Sequence, residues 1–222
     1  MRMIKINPKY EHWRRFIESI PDVFELEGKE IYNKRNLIKV LTAPDGTLVN
    51  VKRYHIPHGP NRLVYSWGIR KPKCQRAFDY PMILKNKGIE TPEPIALIEE
   101  RNSFYLLGYS YLITLQCDYG HTLYEVGNAK PGSYKSLAKA LAHFAAKIHE
   151  SDVLHKDFTP GNVLWKQDDE GFHFSLVDIN RMNFGPVSVK QGLYNLRKFW
   201  GPKDFIRILA TEYALLRNAN VD

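Results

Sequence analysis

The sequence predicts an α+β protein: an N-terminal antiparallel sheet carrying one main helix, followed by a compact, mostly helical second half. Three observations predict it. Short runs of β-branched and aromatic residues, separated by turn residues, recur between Glu30 and Leu115. Beyond Ser133 the apolar residues fall at helical spacing, in Leu137, Leu141, Phe144, Ala145 and Ile148. Over 222 residues, 44% are hydrophobic and 25% charged, a balance that excludes disorder and fibrous repeats and leaves enough apolar side chain for a core.

The elements follow in order. Trp13, Phe16, Ile17 and Ile20 mark a short helix over residues 8–20. Strands are expected at Ile31-Tyr32, Leu37 to Leu41 and Leu48 to Tyr54, the last two joined by the turn Pro44-Asp45-Gly46. HIPHGPNR reads as a loop. A helix is expected from Pro72 to Lys87, ending at Gly88, with Pro81 kinking or restarting it because proline removes a backbone donor. Pro92 and Pro94 force an extended path into strands at Ile95 to Glu99, Phe104 to Leu107 and Tyr109 to Leu115, for a sheet of about five strands. Ser133 is the expected N-cap of the long helix. Phe172 to Val177 is a short apolar strand, and a helix over Asp204 to Arg217, with Phe205, Ile208, Leu209, Tyr213 and Leu216 inward, closes the chain. We place the boundary between the two domains after residue 115, giving 1–115 and 116–222.

Thirty-two Lys and Arg against 24 Asp and Glu give a formal charge of +8, which favours polyanionic partners. The basic residues are dispersed, the densest pairs being Arg14-Arg15 and Lys34-Arg35. Without an aromatic RNA-binding strand, zinc spacing or basic stripe, no nucleic-acid partner is expected. Cys74 and Cys117 supply neither a disulfide framework nor a metal cluster, and the first residues lack the apolar run of a signal peptide, so a reducing cytoplasmic compartment is expected. No window approaches eighteen consecutive apolar residues, so membrane contact is expected to be peripheral.

The chemistry is concentrated in His155-Lys156-Asp157-Phe158-Thr159-Pro160-Gly161-Asn162, followed by apolar Val163-Leu164 and, sixteen residues after Asn162, by Asp178. Phosphoryl transfer from ATP requires a carboxylate beside the acceptor hydroxyl and oxygen ligands that hold Mg²⁺ on the phosphates. Asp157 fits the first role, Asn162 and Asp178 the second. The Pro160-Gly161 turn lets Asn162 point back toward Asp157, and the apolar strands on either side fix the loop.

These residues resemble the protein-kinase-like superfamily, whose catalytic loop reads H-R-D-x-x-x-x-N and whose metal-binding aspartate opens D-F-G; here the segments are HKDFTPGN and DIN. The resemblance implies a two-lobed fold with Asp157 as catalytic base, Asn162 and Asp178 as Mg²⁺ ligands and His155 as a buttress of the loop. Val49-Asn50-Val51-Lys52 stands where that superfamily has V-A-I-K, so Lys52 would hold the α- and β-phosphates, with Asn50 in place of the small residue against adenine. The acid paired with Lys52 would be Asp79. No glycine-rich loop lies between the first two strands; Lys34 and Arg35 stand there and would cover the phosphates by charge. No A-P-E follows Asp178, and the remaining chain is too short for a peptide-docking platform.

HKDFTPGN with Thr159, the run GIETPEPIAL and the strand SYLIT together look like the lipopolysaccharide kinase family, the Kdo kinase and WaaP group, over about residues 31–184. That resemblance implies ATP and Mg²⁺, a cytoplasmic enzyme at the inner face of the inner membrane, and a sugar hydroxyl of an anionic glycolipid, a lipopolysaccharide precursor, as acceptor. The alternatives are a small-molecule kinase of the aminoglycoside or choline type, a RIO-like protein kinase, and a nucleotide-binding pseudokinase scaffold. ATP consumption that depends on Asp157 separates an enzyme from a scaffold.

Overall fold

The computed structural model describes residues 1–34 and 36–219, which form two compact units. The first joins Met1–Met82 to Pro92–Asp118; the second joins Ile83–Thr91 to the chain from Tyr119 onward. This differs from a single cut after residue 115, and the reason is hydrogen bonding. Glu90 O accepts from Leu176 N at 2.9 Å, Thr91 Oγ1 donates to Leu176 O at 2.7 Å, and Lys147 Nζ donates to Gly88 O at 2.6 Å. Residues 83–91 are thereby stitched into the second unit.

The first unit opens with β1 (Arg2–Ile6), then a 3-10 turn (Pro8–Trp13) leading into α1 (Arg14–Val23). There follow β2 (Lys29–Asn33), β3 (Leu37–Thr42), β4 (Leu48–Tyr54), α2 (Pro60–Ser66), α3 (Lys73–Asn86), whose last residues from Ile83 onward belong to the second unit, β5 (Pro94–Arg101) and β6 (Leu107–Leu115). The strands form one six-stranded antiparallel sheet in the order β1-β5-β6-β4-β3-β2. Alternation along β4 sorts its side chains. Val49 and Val51 join Trp13, Ile17, Ile20 and Phe24 in one core, while Tyr54 joins Cys74, Ala77 and Phe78 in another. Lys52, two residues before Tyr54, therefore lies on the face of the sheet that carries α3.

Four expectations are corrected here. β1 is an additional edge strand, its charged alternation RMIKI having concealed it. The supposed loop HIPHGPNR contains the start of α2, with Pro60 in the first helical position, where its missing N–H has no partner to lose. Phe104 belongs to a turn instead of a strand, because Asn102 Oδ1 accepts from both Phe104 N and Leu106 N at 3.0 Å. α3 runs unbroken through Pro81, which is buried together with Ala77, Phe78 and Leu84; burial outweighs one missing backbone bond.

The second unit contains β7 (His121–Thr122), α4 (Lys135–Glu150), β8 (Val153–His155), β9 (Val163–Asp168), β10 (Gly171–Leu176), β11 (Met182–Phe184), α5 (Val189–Leu196) and α6 (Lys203–Leu216). α4 is capped by Tyr134 in the left-handed conformation and not by Ser133. Its stripe buries Leu137, Leu141, Ala145 and Ile148 completely or nearly so, with Phe205, Leu209 and Tyr213 of α6 also in the core. β9 pairs with β10 and β7, and β11 pairs with β8, placing Met182 opposite His155.

A buried polar chain crosses the helices. Arg217 Nη1 donates to the Tyr213 hydroxyl at 2.9 Å, which lies 2.8 Å from His149 Nδ1; His149 Nε2 lies 3.3 Å from Asn195 Oδ1, and Asn195 Nδ2 donates to His155 O at 3.1 Å. Asn195 Oδ1 can only accept, so His149 carries its proton on Nε2 and accepts the Tyr213 hydroxyl at Nδ1. This arrangement requires a neutral imidazole, and burial pushes His149 down to about 4. Above the ordinary value of 6.5 both folded and unfolded chains are neutral there and stability is complete. As the pH falls from 6.5 toward 4 the unfolded chain takes up the proton first, so His149 should withdraw about 3 kcal/mol of stability across that window. Denaturant unfolding at pH 7 and pH 4.5 should show the loss in the wild type and a shallower loss in His149→Gln; identical slopes would remove His149 as the cause.

Candidate active site

The loop after β8 is organised by His155. Its ring is fully buried, and burial lowers its proton affinity, which keeps it neutral. Nδ1 accepts from Asp157 N at 3.0 Å, so the proton sits on Nε2, which faces Val177 O at 3.2 Å. Phe158, also buried, stacks on the ring at 6.2 Å and meets Phe199 edge-on at 4.9 Å. His155 is thus a positioning residue: one nitrogen holds the backbone of Asp157, the other the residue before Asp178.

Pro160–Asn162 form a 3-10 turn. The turn directs Asn162 back to the loop, where Nδ2 donates to the backbone carbonyl of Asp157 at 2.8 Å, while Asn162 O accepts from Val177 N at 3.0 Å. A Cβ at Gly161 would stand 2.6 Å from the ring of Tyr124, which would have to shift to admit it. The Asp157 carboxylate takes no part in holding the loop and is 35% exposed, with Arg181 Nη1 3.6 Å from Oδ2.

Asp178 ends this assembly at φ 52° and ψ 42°, a left-handed conformation that non-glycine residues rarely adopt and that clusters at functional sites. Asn180 Nδ2 donates to Asp178 Oδ1 at 2.5 Å, and Asn180 Oδ1 is buried without a hydrogen-bond partner among the described residues. Val177 is gripped by His155 and Asn162, and Leu176 by Glu90 and Thr91, so the backbone delivering Asp178 is fixed on both sides. The structure therefore brings His155, Asp157, Asn162 and Asp178 into one hydrogen-bonded unit.

Three contributors escaped the sequence reading. Asn180 stands two residues after Asp178 and Arg181 follows it, so both are adjacent to the DIN motif; the clamp from Glu90, through its carbonyl, and Thr91, through its hydroxyl, lies more than eighty residues away in sequence, and no local spacing signals it.

The donor set suits a hard divalent cation. Asp178 offers a carboxylate, and Asn162 Oδ1 makes no hydrogen bond among the described residues. No cluster of three or more His, Cys, Asp or Glu residues forms a metal cage among the described residues, so a cation here would complete its shell with water and substrate oxygens, as Mg²⁺ on nucleotide phosphates does.

The remaining expected site residues belong to the first unit. Lys52 sits on β4 between Ile38 and Leu112, its Nζ 5.1 Å from the Tyr54 ring centroid. A cavity of about 440 Å³ in the same unit is lined by Tyr54, Cys74 and Ser110, with His55, His58 and Lys73 as its cationic or titratable groups; Lys52 is not part of its lining. Burial pushes the Cys74 thiol up, which leaves it unreactive. Asp79 does not serve as the partner of Lys52: its two oxygens are taken by Lys5 at 2.8 Å and Lys71 at 3.3 Å, and those hydrogen bonds hold its carboxyl below the ordinary range against the opposing effect of burial. An aspartate on α3 reaches whichever lysines its helical face presents, and this one faces β1. Lys34 is exposed in the bend after β2. Arg35 lies outside the described residues.

The family model for the lipopolysaccharide kinase (Kdo/WaaP) family matches residues 30–200. No curated protein matches the chain in sequence. Among solved structures, WaaP in complex with acyl carrier protein is 17% identical with a TM-score of 0.54, covering 97% of this chain and 91% of that one. The Rio2 kinase of Chaetomium thermophilum, in its ADP/Mg²⁺-phosphoaspartate complex, is 14% identical with a TM-score of 0.56, covering 94% of this chain and 71% of that one. Both likenesses show a kinase-like fold.

Proposed function

The chain belongs to the lipopolysaccharide kinase (Kdo/WaaP) family, and from that premise we propose that it transfers the γ-phosphate of ATP to a hydroxyl of an inner-core lipopolysaccharide sugar, Kdo or heptose, at the cytoplasmic face of the inner membrane. The observation that carries the reading is the loop in which His155 and Asn162 hold Asp157 by its backbone and leave its carboxylate open to an incoming group.

In this reaction the acceptor oxygen bonds to the γ-phosphorus, the bond from that phosphorus to the β-γ bridging oxygen breaks, and ADP leaves. Asp157 takes the hydroxyl proton, and Arg181 orients its carboxylate from 3.6 Å. Asn162 Oδ1 and the Asp178 carboxylate would hold Mg²⁺, which supplies charge neutralisation on the phosphates. Asn180 fixes the rotation of the Asp178 carboxylate by its bond to Oδ1. Lys52 grips the α- and β-phosphates as a point charge.

Radiolabelled ATP offered in parallel to purified lipopolysaccharide precursors, aminoglycosides and generic protein substrates tests the acceptor. Label should enter the precursors; label entering only aminoglycosides or protein would replace the proposal with that class. Lys52→Met should lower turnover by a factor on the order of one hundred. Unchanged kinetics in steady-state assays over a range of ATP concentrations would return Lys52 to a surface role.

A further inference from the structure

Two adjoining turns of the first unit present large apolar side chains to solvent. The turn after α2 leaves Trp67 68% and Ile69 72% exposed; the turn between β5 and β6 leaves Phe104 79% and Tyr105 64% exposed. A single guanidinium ties the turns together, since Arg101 Nη1 donates to Ser66 O at 3.1 Å and to Tyr105 O at 2.9 Å. Ser66 Oγ also accepts from Leu107 N at 2.8 Å. The second turn is built as well as tethered. Asn102 Oδ1 binds two of its amides, and Tyr105 is held at φ 59°, a conformation rare for a bulky residue. Four exposed apolar side chains on two cross-linked turns form the kind of patch that marks an interaction surface.

Charge identifies the partner. From residue 55 to residue 78 the chain holds Arg62, Arg70, Lys71, Lys73 and Arg76 and no Asp or Glu. Arg70 and Lys71 follow Ile69 directly and are exposed. Lys71 shares Asp79 with Lys5, whereas the Arg70 guanidinium has no hydrogen bond or ion pair among the described residues. Aromatic rings at turn tips with cations beside them match an acyl-headgroup boundary, where Trp and Tyr sit at headgroup level and Lys and Arg meet lipid phosphates.

We propose that these paired turns dock the protein on an anionic phospholipid bilayer, with Trp67, Ile69 and Phe104 entering the interface and Arg70 and Lys71 meeting the headgroups. The inference deepens the glycolipid reading and rests on it for its purpose. Binding is measured without turnover, so the two fail separately. Phosphorylation of detergent-dispersed lipopolysaccharide precursor without vesicle binding would sink the docking surface alone; vesicle binding with transfer only to soluble acceptors would sink the glycolipid reading alone.

The test is co-sedimentation of the full chain with vesicles of phosphatidylglycerol and phosphatidylethanolamine, compared with phosphatidylcholine vesicles. The protein should pellet with the anionic vesicles and remain in solution with the neutral ones. The combined variant Trp67→Ser, Ile69→Ser, Phe104→Ser should partition at least about tenfold less, as should Arg70→Glu with Lys71→Glu, each with an unchanged circular dichroism spectrum. Wild-type partitioning by both folded variants, or no vesicle binding by the wild type, would overturn the proposal.

Discussion

Asp157→Asn is expected to lower the rate of phosphoryl transfer roughly a thousandfold, the scale on which a positioned proton acceptor contributes. The substitution keeps the shape of the side chain and removes its capacity to take a proton. It should also leave the loop in place, because the bonds that hold Asp157 use its backbone. The N–H donates to His155 Nδ1 at 3.0 Å, and the carbonyl accepts from Asn162 Nδ2 at 2.8 Å. Among the described residues the side-chain contact given up is the one with Arg181, a long and solvent-exposed pair that adds little to stability. The signature is therefore a fall in kcat with the KM for ATP and the unfolding midpoint unchanged. A variant that retains turnover would show that another group accepts the proton.

Asp178→Asn should reduce turnover by roughly several hundredfold and raise the Mg²⁺ concentration needed for half-maximal rate. Asparagine is the discriminating choice here. Asp178 sits at φ 52°, which asparagine tolerates and alanine does not, and the amide oxygen can still accept from Asn180 Nδ2. What disappears is the negative charge and one of the two carboxylate oxygens. Asp178→Ala would lose activity too, but would add backbone strain of about 1 kcal/mol and mix a folding defect with a chemical one. An Asp178→Asn enzyme with wild-type Mg²⁺ dependence would exclude the residue from the metal site.

The site was legible where it is written contiguously. HKDFTPGN carries the turn, the carboxylate and the amide in eight consecutive residues, and the structure shows that their backbone bonds close on one another. Lys52 is singled out in the sequence by the likeness of Val49-Asn50-Val51-Lys52 to V-A-I-K after the Pro44-Asp45-Gly46 turn, and the fold puts it on β4, on the same face of the sheet as Tyr54. Asp79 could not be paired from sequence, since a helix offers an acid to several lysines and only tertiary placement selects Lys5 and Lys71. β1 and α2 were lost to local composition: one is a charged edge strand, and the other starts at a proline inside what reads as a loop. The chain from Tyr213 through His149 and Asn195 to His155 spans α6, α4 and α5, and no spacing rule reports contacts across such separations.

The stitching of Gly88, Glu90 and Thr91 to the second unit bears on how the molecule could be dissected. A recombinant fragment starting at Tyr119 would arrive without the strip that grips Leu176, and Asp178 would hang from a backbone secured on one side only. Anyone preparing the catalytic half by itself should expect to add residues 83–91 back as a synthetic peptide, and the concentration at which that peptide restores order would be a direct gauge of the clamp.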